Sequence, residues 1–217
     1  ADVLAHHVPA RAPEPRDRAA AEALPGFSND DKGAGLACLM REMVEEVGWA
    51  PASNKIIEVN PEIRAKVVID GKNWHPLAEV GSLPSDTSRF NLITVRTTPP
   101  LSPMRFANQF FHLHDPSPPE PTLPDGRSEF DEMIWLTPKQ ALNAWNNSEM
   151  RIPPPQITLL RDMIVSLEKS GGDIVSAASI MSENPPIGEH QIEFAPSVEC
   201  VPLPTHTLPP ATHTNCY

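Results

Sequence analysis

The sequence predicts a fold of the α/β (α+β) class, one domain followed by a long tail. Three observations lead there. Apolar residues recur at helical spacing over Ala34–Val47, from Pro61 to Val68 and over Pro155–Ser170. β-Branched and aromatic runs at Asn91–Thr97, Arg105–His114 and Phe130–Leu136 read as strands set between those helices. The 27 prolines gather in Pro99–Pro124 and from Pro185 onward, so they belong to loops and tail rather than to the core. At 217 residues the chain is long enough to bury one proper core.

Taken in order, residues 1–33 are rich in Ala, Pro and charge, lack a strand pattern and form an irregular N-terminal segment. Within it Arg16–Leu24 reads as a short helix ended by Pro25-Gly26, and Phe27–Gly33 as a polar loop. From Ala34 to Val47, at about 100° per residue, Leu36, Leu39, Met40, Met43, Val44 and Val47 share one arc. Glu42, Glu45 and Glu46 lie on the other side, and Gly48 falls where a left-handed C-cap belongs. Pro61 opens a second helix through Ile63, Val67 and Val68, broken near Gly71, with Trp74–Val80 as its continuation. Two strands follow, the first stopped by Pro99-Pro100, the second carrying Phe106, Phe110 and Phe111. Pro116–Gly126 is an exposed loop. After the third strand, Thr137-Pro138 supplies an N-cap and first residue for a helix over Lys139–Trp145. The helix of Pro155–Ser170 is stopped by Gly171-Gly172, and Ile174–Met181 forms one more short helix. The main domain therefore spans 34–181. The tail, 182–217, is proline-rich, and reads either as disordered or as short strands such as Gln191–Phe194 along the domain edge.

Composition removes several functions. A net charge of -11 argues against nucleic acid or an anionic membrane as partner, since both need a broad basic footprint. A small phosphorylated molecule needs only a local pocket. Cys38, Cys200 and Cys216 make no disulfide framework, which favours a reduced, intracellular compartment. No apolar run approaches the ~18 residues of a membrane span, and no signal peptide opens the chain. The expected location is cytoplasmic, peroxisomal or mitochondrial, without a recognisable targeting signal. Ala1 in place of Met leads to the expectation of a chain processed or cut from a longer one. No Walker loop, dinucleotide fingerprint or Gly-x-Ser-x-Gly elbow is present.

The chemistry concentrates in Arg41-Glu42-Met43-Val44-Glu45-Glu46-Val47-Gly48-Trp49. Glu42 and Glu46 stand at i, i+4, and Glu42 and Glu45 at i, i+3, so the three carboxylates crowd one helix face. Like charges at that spacing repel, and a hard divalent cation with a taste for oxygen, Mg²⁺ or Mn²⁺, relieves the repulsion. Such an ion bridges a pyrophosphate and lowers the pKa of a bound water. From spacing alone the commoner reading is a solvated acidic face on an amphipathic helix.

The segment resembles the second half of the Nudix box, G-x5-E-x7-R-E-U-x-E-E-x-G-U, with Met43 and Trp49 at the two bulky apolar positions. The resemblance implies that Glu42, Glu45 and Glu46 are metal ligands. It implies too that Glu45 serves in catalysis, and that Arg41 and Gly48 support the box. The first half departs from the pattern: its Glu falls at Gly33 and its opening Gly at Phe27. Downstream, Thr97-Thr98-Pro99, Arg105-Phe106, Phe110-Phe111, Glu129 to Pro138, Ala141-Leu142 and Pro154-Pro155 resemble, in order, the moiety-X motif 19 branch of Nudix proteins. That branch includes peroxisomal coenzyme A diphosphatases and carries an insertion between its glycine loop and the acidic helix. The branch's Phe-Pro-Gly-Gly loop is not found before Ala34.

The resemblance implies an α/β/α Nudix sandwich with a mixed sheet, with or without its N-terminal strands. Its activity would be Mg²⁺- or Mn²⁺-dependent hydrolysis of a diphosphate linkage in a nucleoside diphosphate-linked compound, acyl-coenzyme A among them. The alternative is a degenerate Nudix domain that binds a ligand or a protein without hydrolysis. The resemblance implies a carboxylate from beyond the box that assists as base or extra ligand; Glu132, on the third predicted strand, is the candidate, with a surface acid beside a core Trp as the plain alternative. Arg96 and Arg105 are candidates for gripping phosphate, Arg being suited to bidentate contacts, against an ordinary charge on the sheet surface. Trp135 is expected in the core rather than stacked on substrate. His112 and His114 alternate on one strand, and a partly exposed pair is the better reading than a metal site.

Overall fold

A computed structural model describes residues 3–5, 15–69, 74–97, 107–123 and 133–183. In chain order the elements are β1 (Val3–Ala5), α1 (Pro15–Ala23), α2 (Asp31–Glu42) running into a π-helical turn (Met43–Val47), β2 (Trp49–Pro51), β3 (Ile56–Glu58), α3 (Pro61–Ile69) and α4 (His75–Glu79). A 3₁₀ turn (Thr87–Arg89) then leads into β4 (Phe90–Thr97), followed by β5 (Ala107–Leu113), α5 (Pro138–Asn146), α6 (Pro154–Lys169) and α7 (Ile174–Glu183). Each periodic segment expected to be helical is helical.

The sheet β1-β5-β4 is the central layer; among the described residues its pairing is antiparallel throughout rather than mixed as expected, and β2 and β3 form a separate hairpin. Alternation along β5 decides what covers each face. Phe111 and Leu113 join the larger core, with Leu36, Met40 and Val44 of the acidic helix and Ala20, Ala21 and Leu24. Phe110 points the other way, into a second cluster with Ile93, Leu159, Met163, Ala178 and Met181. The result is helices α1 and α2, then sheet, then α6 and α7: the expected α/β/α layering. Each fully buried Phe contributes about 1.5–3 kcal/mol relative to exposure, so both interfaces hold the sheet.

One irregularity has a functional consequence. The β4–β5 register slips between Leu92 and Thr94, leaving Ile93 as the extra residue of a bulge. A one-residue slip exchanges faces. Leu92, opposite Phe111, faces α2; Thr94 and Arg96, opposite Phe110 and Asn108, face α6.

Several expectations need correction. Residues 1–33 do contain a strand, β1, which aligns Val3–Ala5 with Phe111–Leu113 of β5 through backbone pairing that side-chain pattern does not reveal. The acidic helix begins at Asp31 rather than Ala34, because the Asp30 side chain accepts from the Gly33 N–H at 2.9 Å and caps it early. Trp74 ends up as the cap residue of a separate helix, α4, rather than inside a continuation of α3. The hairpin β2–β3 was not foreseen, its strands being three residues each, too short to show a period. Residues 133–136, the described part of the supposed third strand, form no strand. The loop that opens at Pro116 does not simply run out into solvent: the Thr122 N–H donates to Val47 O at 3.1 Å and brings the loop back to the acidic helix. Thr137 was read correctly. Its hydroxyl accepts from Gln140 N at 3.2 Å while Gln140 Oε1 accepts from Thr137 N at 2.8 Å, a full capping box.

Candidate active site

The acidic helix ends in a way that gathers charge. Over Met43–Val47 it widens into a π turn, and Gly48 terminates it with φ 70°, its N–H donating to Met43 and Val44 carbonyls. Glycine is required there for two reasons. The positive φ is costly for any other residue, and a Cβ would lie 2.8 Å from Thr122 Oγ1 and 3.0 Å from Arg64 Nη1. Single π turns are frequent at functional sites. Here the turn carries Glu45 and Glu46 at the helix end, next to the hairpin.

Arg41 is the hub. It is buried, and its three nitrogens divide their work. Nε and Nη2 donate to Oδ1 and Oδ2 of Asp17 at 2.9 and 3.1 Å. Nη1 lies 2.7 Å from Glu45 Oε2 and 2.9 Å from Glu42 Oε1. Burial pushes the arginine's pKa down, but the bonds and charges of Asp17, Glu42 and Glu45 outweigh that and raise it, so the guanidinium stays charged. One cation faces three carboxylates, and negative charge is left over. Glu45 registers the surplus: burial, with the Glu42 charge adding, holds its carboxyl up at about 7 against the pull of Arg41. Arg16 also lies close enough to Glu45 to favour its ionised form. Arg64, from α3, braces the turn from outside by donating from Nη2 to the Glu45 carbonyl at 2.9 Å, and its charge faces Glu46.

The donor set suits a hard divalent cation by type and by charge: oxygen ligands, a surplus of negative charge, and a carboxyl that an added positive charge would return to its ionised form. Its oxygens are drawn toward Arg41 rather than toward a common point. Among the described residues no group of three or more His, Cys, Asp or Glu is gathered to hold a metal ion as it stands.

The structure thus brings Arg41, Glu42 and Glu45 into contact, carries Glu46 and Gly48 on the same helix end, and leaves Arg96 apart. The bulge turns Arg96 to the far face, where it pairs with Asp162 of α6. Glu132 and Arg105 lie outside the described residues. Trp135 is not a core residue: it is 43% exposed, and its ring stacks on buried Trp49 with centroids 6.2 Å apart and planes at 20°. It packs on the box from outside because no strand forms to carry it inward. His112 is buried rather than partly exposed, since the α6 and α7 layer covers its face of the sheet; its ring lies 6.4 Å from that of exposed His114. Cys38 sits beside Arg41 with its thiol pushed up to about 12 by burial, a poor nucleophile.

Two participants escaped the sequence reading. Arg64 left no signal. Asp17 did: Asp17, Ala20, Ala21 and Leu24 stand at i, i+3, i+4 and i+7, all buried, so a carboxylate occupies the apolar stripe of α1. A buried charge demands a partner.

A sheet clad by helices on both faces, with a carboxylate-rich helix end beside it, defines an α+β sandwich. A crystal structure of a Nudix hydrolase from Alicyclobacillus acidocaldarius has this fold: it is 24% identical, with a TM-score of 0.58, over 71% of this chain and 73% of that one. The likeness establishes that the chain has a Nudix-type fold. No family model and no curated protein matches the sequence. Among the described residues no helix is long and apolar enough to cross a membrane.

Proposed function

We propose that the protein is a divalent-metal-dependent hydrolase that cleaves a diphosphate linkage in a nucleoside diphosphate-linked compound, with acyl-coenzyme A a candidate substrate. The observation that carries this reading is the helix end itself: Glu42, Glu45 and Glu46 on one turn, two of them held by a buried arginine, in a Nudix-type fold. Mg²⁺ or Mn²⁺, held by these three carboxylates, would neutralise the diphosphate and acidify a bound water. Arg41 fixes the carboxylates of Glu42 and Glu45, Glu45 accepts the proton of the attacking water, and Gly48 lets the chain turn away at once behind them. The exposed ring of Trp135 stacks on Trp49, three residues past Glu46 in sequence, and gives a flat apolar surface that suits the base of a nucleoside. Glu132 as extra base and Arg105 as phosphate grip remain part of this reading. Arg96 does not, since its guanidinium is engaged with Asp162 on the far face.

A specific observation favours a second reading, a catalytically silent binding module: position 33, where the box pattern has a glutamate, holds a glycine. One assay separates the two. Acyl-coenzyme A, ADP-ribose and nucleoside diphosphates are offered with Mg²⁺ or Mn²⁺ to the wild type and to Glu45→Gln. Metal-requiring turnover that falls by about 10²–10⁴-fold in the variant is expected. No turnover of any substrate by folded protein would move the assignment to the binding module.

A further inference from the structure

We propose that Asp17 is a positioning residue for the acidic helix end, supplying from α1 the carboxylate that the box pattern assigns to position 33. The inference rests on the hydrolase reading above. At position 33 a side chain has no room: a Cβ there would lie 1.7 Å from the Ser28 carbonyl oxygen. The early turn of α2, capped by Asp30, closes the space in which the pattern's glutamate would sit. A carboxylate nevertheless reaches the box arginine, from a different helix.

Three features make Asp17 more than a fold-stabilising partner. It is fully buried, so solvent does not weaken its hold. It engages Nε and Nη2 of Arg41 with separate oxygens, a fork that fixes the plane of the guanidinium. That plane aims Nη1 at Glu42 and Glu45 together. On its stripe of α1 the other residues, Ala20, Ala21 and Leu24, are apolar, so nothing there substitutes for it. Without the fork Arg41 turns about its long side chain, and the carboxylates lose their common reference. Partners of this kind, one layer behind the ligands, typically change metal affinity or activity by about 10–100-fold when removed.

The test measures Mn²⁺ affinity of the full chain, by the paramagnetic signal of the free ion, beside kcat and KM. Asp17→Asn keeps the shape and removes the charge. The expected result is Mn²⁺ affinity weakened by about 10-fold or more, with kcat reduced and KM little changed. In the double variant with Glu45→Gln, Asp17→Asn is expected to add little, because it acts through Arg41 on that carboxylate. Unchanged affinity in a folded Asp17→Asn protein, or a full additive loss in the double variant, overturns the proposal. Should Asp17→Asn not fold, Arg41→Lys serves: it keeps the buried charge but has one nitrogen, and cannot grip Asp17 and reach the glutamates at once. A folded Arg41→Lys protein with wild-type Mn²⁺ affinity also overturns it. A wild type that binds Mn²⁺ but hydrolyses nothing defeats the hydrolase reading while leaving the role of Asp17 standing; one that binds no Mn²⁺ defeats both.

Discussion

Arg41 and Arg96 are both arginines that the sequence marks as functional, and the fold treats them oppositely. Arg41, on a helix, has two partners within four residues, its chain neighbour Glu42 and Glu45 one turn on, and one more brought by the neighbouring helix. Arg96, on a strand, meets a partner 66 residues away on α6. The difference is one of geometry. A helix keeps i and i+4 groups together whatever the rest of the chain does, whereas a strand's faces depend on every irregularity before them. One bulge at Ile93 is enough to send Arg96 to the side of the sheet away from the acidic helix.

The two arginines should therefore fail differently. Removing Arg41 strands a fully buried Asp17 and two part-buried glutamates without their cation. Breaking a buried pair in this way costs about 3–5 kcal/mol. Arg41→Ala is expected to lose that much stability in urea unfolding, and turnover with it. Arg96→Ala gives up one pair whose Asp162 side chain is 40% exposed. Such pairs are worth about 0–1 kcal/mol, and turnover should stay within a few-fold of wild type. Equal losses in the two variants would remove the distinction drawn between them.

The same contrast explains how much was legible. The helices, the capping box at Thr137 and the left-handed Gly48 were read from the sequence because each is specified by residues within one or two turns. The place of Glu42, Glu45 and Glu46 on that helix was legible in the same way. What escaped depends on contacts made across the chain. β1 is chosen by an edge that β5 leaves open, and Thr122 returns to Val47 over a separation no local pattern encodes. Trp135 was expected inside, within a strand over Phe130–Leu136, where Ile134 and Leu136 flank it. All three are exposed on a stretch that forms no strand. Asp17 is the intermediate case: its place on a buried stripe is local information, but its partner is not.

Gly48 offers a sharper and smaller test of how the helix end is held. Alanine there must adopt the left-handed conformation, at a cost of about 1–2 kcal/mol, and its methyl meets the Thr122 hydroxyl. Gly48→Ala should lower stability by about 2 kcal/mol and turnover as well, since the turn that carries Glu45 and Glu46 has to shift. Adding Thr122→Ala removes the steric part and leaves the conformational part. If the double variant recovers nothing, the loop over 116–123 does not constrain the helix end.

The least costly probe of the Arg41 cluster is pH. The Glu45 carboxyl is held up at about 7 in the folded chain, by burial and the Glu42 charge, against an ordinary value of 4.5. Between those two values the folded state binds more protons than the unfolded one, so stability falls as pH rises. The contribution is complete below 4.5 and gone above about 7. With solvent reaching part of the site, the effect is of order 1 kcal/mol, or about 2–4 °C in Tm for a chain of this size. Metal-free wild type should therefore melt lower at pH 8 than at pH 5 by that margin, and Glu45→Gln should flatten this part of the profile. Mn²⁺ at pH 8 should restore the loss, because the ion favours the ionised carboxylate and binds the folded chain. A flat wild-type profile would mean that Arg41 and Arg16 together balance Glu45. The surplus of negative charge at the helix end would then not exist, and the electrostatic case for a cation there would go with it.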